Sequence, residues 1–433
     1  MAWYGNAALT SLALGWFTAS VIWNYEPLGI SFQRIQLVVI LFLCVIAWII
    51  IQILPLDISA LSHPLWQMSA QALQEDIPGR ISINPEQSEI GLIRLLTYAG
   101  VFWLALQFGR DPEKAKILLY SIVIAITVYA SYGLILKILE SHTILWFAKE
   151  HYKDSLTSTF INRNSAATYF GLGCTALLAL MVSHLRRNLF HASPKKVFLS
   201  QLIQTITSMR MLISIYALFV TFAALVLTGS RAGLIVTIIA MLCLLLIYML
   251  KSKQKHWVYI SGLCLMLVAI SFILEASGDF LGQRLQNMEA LVETSRMKTY
   301  ALTLTMINDF PFTGTGLGTY GNIFPMYRDS SIPSYGVWDK AHNTYLELIL
   351  ELGIPAALLL FCAVFLLIKI TLRGVFERKK NSNYSAIAFT CSVLVGLHSL
   401  VDFSLQIQAI TITYMVLLGI GVSQSWGSRR RNL

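Results

Sequence analysis

Apolar runs of about 20 residues recur along the chain, at roughly 7–24, 35–54, 90–108, 116–138, 164–184, 211–228, 232–250, 257–275, 343–370, 384–402 and 405–424. A helix rises about 1.5 Å per residue, so about 20 residues cross the roughly 30 Å of hydrocarbon in a bilayer. Each run is predicted to be a transmembrane helix, because in lipid a segment must satisfy its own backbone N–H and C=O groups. The residue-by-residue alternation of an outer-membrane barrel is absent. The predicted fold is all-α: a polytopic transmembrane helical bundle of eleven or twelve spans, forming one membrane domain over 1–433. Three polar interruptions stand out, at 55–89, 139–163 and 276–342. The last is the longest, and unstructured connections of such length are uncommon unless they serve a function. Its first part, LGQRLQNMEALVETSRMKTYALTLTMI, has amphipathic spacing and is predicted to be helical along the interface.

Composition agrees with this picture. Hydrophobic residues make up 56% of the chain and charged ones 12%, with a mean hydropathy of +0.66; a soluble domain carries about 25% charged residues. The net charge of +10 invites a nucleic-acid reading, but its placement argues against one. The stretches 25–34, 109–116, 185–210, 251–256, 369–380 and 425–433 carry 20 Lys+Arg and 4 Asp+Glu, net +16, while the rest carries 12 and 18, net −6. Such asymmetry is the positive-inside bias. It assigns Arg186, Arg187, Lys195, Lys196 and the Arg429–Arg431 tail to the cytoplasm, together with the C-terminus. The three long interruptions then face the other side, and nucleic acid is not an expected partner. Eleven spans put the N-terminus outside; a re-entrant or additional helix would make twelve. The opening Met-Ala-Trp-Tyr-Gly-Asn lacks the cationic start of a secretory signal, so the first span reads as retained. Six cysteines (44, 174, 243, 264, 362, 391) fall inside apolar runs without paired spacing. They read as buried hydrophobes, and no metal site is expected.

The candidate chemistry lies at span ends on the outer side. Arg231, in VLTGSRAGLIV, is bracketed by Gly229 and Gly233 and reads either as a snorkelling turn residue or as an anion contact. An arginine at bilayer depth costs about 2.5–3.5 kcal/mol on insertion scales and usually has a partner. Arg163, in FINRNSAATYF, opens a span where free N–H groups and the helix dipole favour an anion; Asn164 or Ser165 would cap it. Arg284 and Arg296 are twelve residues apart, about 18 Å along one helix, and either pair with Glu289 and Glu293 or hold a phosphate bidentately. His342, in WDKAHNTYLEL, has Asp339 near enough to orient its imidazole, with Tyr335, Trp338 and Tyr345 around it. An imidazole of ordinary pKa, about 6.5, suits general-base work near neutrality, and the aromatic rings suit sugars. His398 and Asp402 are four residues apart on a predicted helix face and read as a structural polar pair, with a proton relay as the alternative. The glycines of TGTGLGTYG lack the Gly-Lys-Ser/Thr of a nucleotide loop and read as a tight turn.

The segments TFINRNSAATYF, LTGSRAGLIV, SRMKTYALTLTMINDFPFTGTGLGTYGNIF, AHNTYLELILELGIPAALLL and HSLVDFSLQ, in that order over roughly residues 155–410, resemble the O-antigen ligase and exopolysaccharide polymerase superfamily. The first third matches only in hydropathy and in LPLDISALSHPLWQ. The resemblance implies a metal-independent, cofactor-free, inverting glycosyltransferase of the bacterial inner membrane. It would take a glycan from undecaprenyl pyrophosphate at the periplasmic face and deliver it to lipid A–core, to a growing glycan or to a protein. It implies His342 as base and Arg231 and Arg296 as pyrophosphate contacts, with Arg163 and Arg284 as further ones. Family ligases usually have twelve spans. A transporter or flippase for the same lipid-linked glycan is the rival of another class, and it is disfavoured because no clear internal repeat appears and the polar groups gather at one face. A structural scaffold is the remaining alternative.

Overall fold

The computed structural model describes residues 2–23, 28–56, 58, 60–189, 195–251, 289–330, 332 and 338–427. The predicted run at 257–275, Cys264, Arg284, Tyr335 and the Arg429–Arg431 tail lie outside the described residues. In chain order the helices are α1 (Ala2–Trp23), α2 (Gln36–Ile53), α3 (Pro64–Leu73), α4 (Pro85–Phe108), α5 (Pro112–Ile138), α6 (Arg163–Leu189), α7 (Lys195–Ile206), α8 (Met209–Leu227), α9 (Arg231–Lys251), α10 (Glu289–Asp309), α11 (Tyr320–Tyr327), α12 (Thr344–Leu352), α13 (Ile354–Glu377), α14 (Ser382–His398) and α15 (Gln408–Gln424). One two-stranded hairpin, β1 (Thr143–Ile144) with β2 (Phe147–Ala148), interrupts the 139–163 segment. Among the described residues, eight helices are long and apolar enough to cross a membrane: Tyr4–Trp23, Phe32–Ile53, Pro85–Phe108, Pro112–Ile138, Arg163–Leu189, Met209–Leu227, Arg231–Lys251 and Ile354–Glu377. Helices α14 and α15, at 17 residues each, are shorter. The molecule is an all-α polytopic bundle.

Two predicted runs need correction. Residues 343–370 are not one helix: α12 stops at Leu352, Gly353 turns with φ 77°, and α13 starts at Ile354. Pro355 sits in the first turn of α13, where its missing N–H costs nothing; inside one continuous helix it would break the ladder. Residues 384–402 likewise do not continue as helix past His398.

The chain divides into two compact units, each assembled from separate stretches. Unit 1 comprises Met1–Trp103, Gly282–Leu367 and Ser399–Gln408; unit 2 comprises Leu104–Leu281, Ile368–His398 and Ala409–Leu433.

Unit 1 is organised around the junction of α12 and α13. The last C=O groups of a helix have no partner within it. Here Thr315 N–H donates to Leu350 O (3.1 Å) and Gly316 N–H to Glu351 O (2.9 Å). From α2, Trp48 Nε1 donates to Leu352 O (2.8 Å) and Gln52 Nε2 to Glu351 O (2.9 Å). A Cβ on Gly314 would collide with Glu351 O, so the glycine run serves as the cap of α12. Beside it, Met306, Tyr320, Ile323, Phe324, Ala341 and Leu350 form a buried cluster against which Leu65, Phe310 and Trp338 pack.

In unit 2 the central element is α6, with 83% of its most apolar window buried. It packs against α5, α8, α9 and α14. Lipid tails are as apolar as Leu, so helices associate in a bilayer by close packing and interhelical hydrogen bonds instead of by hydrophobic burial, and small residues line their contacts. Ala166, Ala167, Gly171, Gly173, Cys174 and Ala176 supply that surface on α6.

Candidate functional site

In unit 2, two of the predicted arginines occupy equivalent places. Arg163 is the first residue of α6 and Arg231 the first of α9. Asn162 Oδ1 accepts from Asn164 N–H at 2.7 Å, so Asn162 caps α6 in place of the predicted Asn164 or Ser165. Ser230 Oγ accepts from Gly233 N–H (3.3 Å) and donates to Asn164 Oδ1 (2.8 Å), tying the two helix starts together. The chain reaches Arg231 through Gly229, whose φ of 66° is the left-handed turn glycine permits. A Cβ on Gly233 would stand 2.5 Å from Ala167 Cβ, so its hydrogen lets α9 press against α6. The Arg163 guanidinium lies over the Tyr152 ring, 5.4 Å from its centroid. Two helix N-termini, each beginning on an arginine, are therefore tied together in unit 2, where the helix dipoles and the arginine charges favour an anion.

Unit 1 holds His342 in a strained backbone position, φ 54°. Non-glycine residues adopt this region at a cost and are kept there only by their surroundings. Those surroundings are specific. Just before it, Ala341 N–H donates to Glu347 Oε2 (2.9 Å); at His342 itself the carbonyl accepts from Tyr300 OH (2.9 Å). Just after it, Asn343 Oδ1 caps α12 by accepting from Tyr345 and Leu346 N–H (both 3.1 Å). Thr344 N–H donates to Ser399 O (2.9 Å) and Thr344 Oγ1 to Asp402 O (3.0 Å). The imidazole meets Phe403 edge-on at 5.0 Å and Trp338 at 6.4 Å. Its Nδ1 is buried without a hydrogen-bond partner among the described residues.

The electrostatics depart from the sequence expectation. Burial pulls the His342 imidazole from its ordinary range down to about 4; the Arg296 charge pushes the same way, and Asp402 and Asp339 oppose it. The ring is thus neutral near pH 7 and a weaker base than an exposed histidine. Arg296, Asp339 and Trp338 are therefore gathered around His342. Tyr345 instead packs its ring against Phe361 at 5.5 Å.

His398 and Asp402 do not share a helix face as predicted, because α14 ends at His398. His398 Nδ1 hydrogen-bonds Thr168 Oγ1 at 2.6 Å in unit 2. Asp402, in unit 1, accepts from Ser404 Oγ and contributes its charge to His342. Asp402 thus joins the imidazole's surroundings, a role the spacing did not suggest.

Glu347 and Glu351 were missed altogether. Both are buried. Glu347 faces Lys340 Nζ at 3.6 Å and holds Ala341 in place. Glu351 Oε1 accepts from Tyr320 N–H at 3.1 Å. Burial raises both carboxyls, Glu351 to about 8. Two acids in LELILEL, inside a run read as a span, were the available signal, since ionisable residues at such depth are rarely idle.

A family model described as O-antigen ligase matches residues 216–361, a stretch that contains Arg231, Arg296, Trp338, Asp339 and His342. No curated protein matches the chain. The family's chemistry is glycosyl transfer at a membrane, with a lipid-linked glycan and an acceptor as partners in general.

Proposed function

We propose, on the match of residues 216–361 to a family model described as O-antigen ligase, that this multi-pass membrane protein is a glycosyltransferase of the bacterial inner membrane. It moves a glycan from undecaprenyl pyrophosphate to an acceptor hydroxyl at the periplasmic face. The observation that carries the reading is the neutral His342 imidazole, held at positive φ within the field of Arg296, Asp402 and Asp339. The acceptor is lipid A–core; extension of a growing glycan or transfer to a protein would use the same machinery.

In the reaction the acceptor oxygen attacks the anomeric carbon of the donor sugar. The C1–O bond to the diphosphate breaks, and its electron pair leaves with the pyrophosphate. His342 takes the acceptor's proton, and Asp402 steadies the imidazolium that results. Attack from the face opposite the leaving group inverts the anomeric centre in one displacement. Arg296 offsets the charge growing on the diphosphate, a stabilisation worth most where water is scarce. Arg231 and Arg163 are assigned to phosphate on the strength of their helix-start positions, and the resemblance adds Arg284. No metal ion is required by this scheme.

Donor binding also tunes the base. A diphosphate beside Arg296 offsets the very charge that depresses His342, so the donor raises the basicity of the group that will use it.

His342→Ala is expected to insert normally and to lose transfer by about 10²–10⁴-fold, the usual contribution of a general base. The measurement is conversion of lipid-linked glycan by purified protein in detergent. Undiminished transfer by the variant would remove His342 from the chemistry.

A further inference from the structure

Thr344 and Glu347 lie three residues apart on α12 and so share one face of it. Thr344 binds the stretch that leads to Asp402: its N–H donates to Ser399 O and its Oγ1 to Asp402 O. Glu347 continues that contact one turn on, where its carboxylate accepts from the Gln406 side chain. Gln406 closes the turn that carries Asp402 and Phe403, its N–H donating to Phe403 O at 2.8 Å. The same carboxylate takes Ala341 N–H at Oε2 (2.9 Å) and faces Lys340 Nζ from Oε1 (3.6 Å). All of these residues belong to unit 1. One side chain, 2% exposed, thus joins the residue before His342 to the turn whose Asp402 and Phe403 act on the imidazole.

Stability alone is a poor reason for a carboxylate at this place, because burying an ionisable group carries a desolvation cost that apolar packing would avoid. Nor does Glu347 work through its field: the charges that act on the imidazole are those of Arg296, Asp402 and Asp339. What Glu347 supplies is reach. His342 sits at φ 54°, a conformation its surroundings must enforce. Tyr300 OH holds its carbonyl from α10, one turn beyond Arg296, and so references His342 to the arginine. Glu347 holds the N–H just before it and references His342 to Asp402.

We propose that Glu347 is a positioning residue: it sets the separation of the His342 imidazole from Asp402, and so how well Asp402 steadies the imidazolium formed when the acceptor gives up its proton. The role rests on the reading of His342 as the base. Because Glu347 acts by spanning two segments, the length of its side chain matters more than its charge.

The test uses full-length protein in detergent and a double-mutant cycle. In Glu347→Leu, kcat is expected to fall about 30-fold or more with the donor KM within about two-fold, since a misplacement of about 1 Å can cost about 10²-fold. Asp402→Asn removes the charge that Glu347 positions, so the double variant is expected to be no slower than the slower single one. Losses that multiply, or a rise in KM with kcat unchanged, overturn the proposal. Glu347→Gln keeps the reach and an acceptor oxygen and should lose about three-fold or less, whereas Glu347→Asp keeps the charge, shortens the reach and should lose about ten-fold. These two carry the test if the Leu variant fails to insert, and the reverse order overturns it. A second readout needs no reaction: ¹⁵N NMR of histidine-labelled protein, with His342→Ala identifying the signal. The least active folded variant is expected to move the His342 ring shifts and to lower the pH at which the ring takes its proton, because Arg296 is then less opposed by Asp402; unmoved shifts overturn the proposal. A wild-type protein without transfer activity whose His342 signal still responds to Glu347 would sink the base assignment and leave the positioning standing.

Discussion

His342 shows how far a single side chain can depart from its sequence expectation. In isolation an imidazole titrates near 6.5 and makes a ready base. Burial and the nearby Arg296 instead bring it to about 4. The sign of the consequence is clear: below its pKa the ring already carries a proton and cannot accept another. Free enzyme should therefore hold kcat/KM level as pH falls through 6 and lose it only toward about 4. A diphosphate donor bound beside Arg296, as proposed, would offset that charge and raise the pKa, so the acid limb of kcat should then lie at higher pH than that of kcat/KM. Steady-state rates from pH 4 to 8 check this; a kcat/KM limb near 6.5, or limbs in the opposite order, would count against it. His342, Arg231 and Arg296 can be proposed from sequence because few residue types do such chemistry. Asp339 could be placed beside His342 from the same segment, but the burial of the ring and the approach of Arg296 and Asp402 could not, because those two come from distant segments.

The helices were largely legible for a local reason: in lipid, a run of bilayer length must pair its own backbone. Ten of the eleven predicted runs fall on described helices, and the eleventh, 257–275, lies outside them. The two misread ends share one cause, since mean apolarity does not register where a backbone turns. Gly353 followed by Pro355 is a stop-and-restart signal that a hydropathy reading passes over. Its importance can be measured. Gly353→Ala places a Cβ against Phe312 O at φ 77° and should cost roughly 1–3 kcal/mol or more. Gly15→Ala, where a Cβ meets nothing within 4 Å, serves as the control. Thermal unfolding in detergent should show a lower midpoint for the first alone; equal shifts would mean the junction is not a structural requirement.

For the molecule as a whole, the choice of acceptor defines its biology. Deleting the gene and resolving lipopolysaccharide on gels should leave unmodified core with long lipid-linked polymer accumulating. Core carrying a single repeat would make the protein a polymerase, and an unchanged ladder would direct attention to protein or another polysaccharide. Composition and apolar run length alone determined that the chain is a helical, multi-pass membrane protein, because the constraint the bilayer imposes acts within each segment. Which polar groups become neighbours was decided only by tertiary packing. Gln52 reaches Glu351 O, Asp402 accompanies His342, and the 55–84 segment meets the end of α10 around a cavity. Such encounters join residues far apart in the chain, and they depend on close-fitting side chains and satisfied buried hydrogen bonds, which no local pattern encodes.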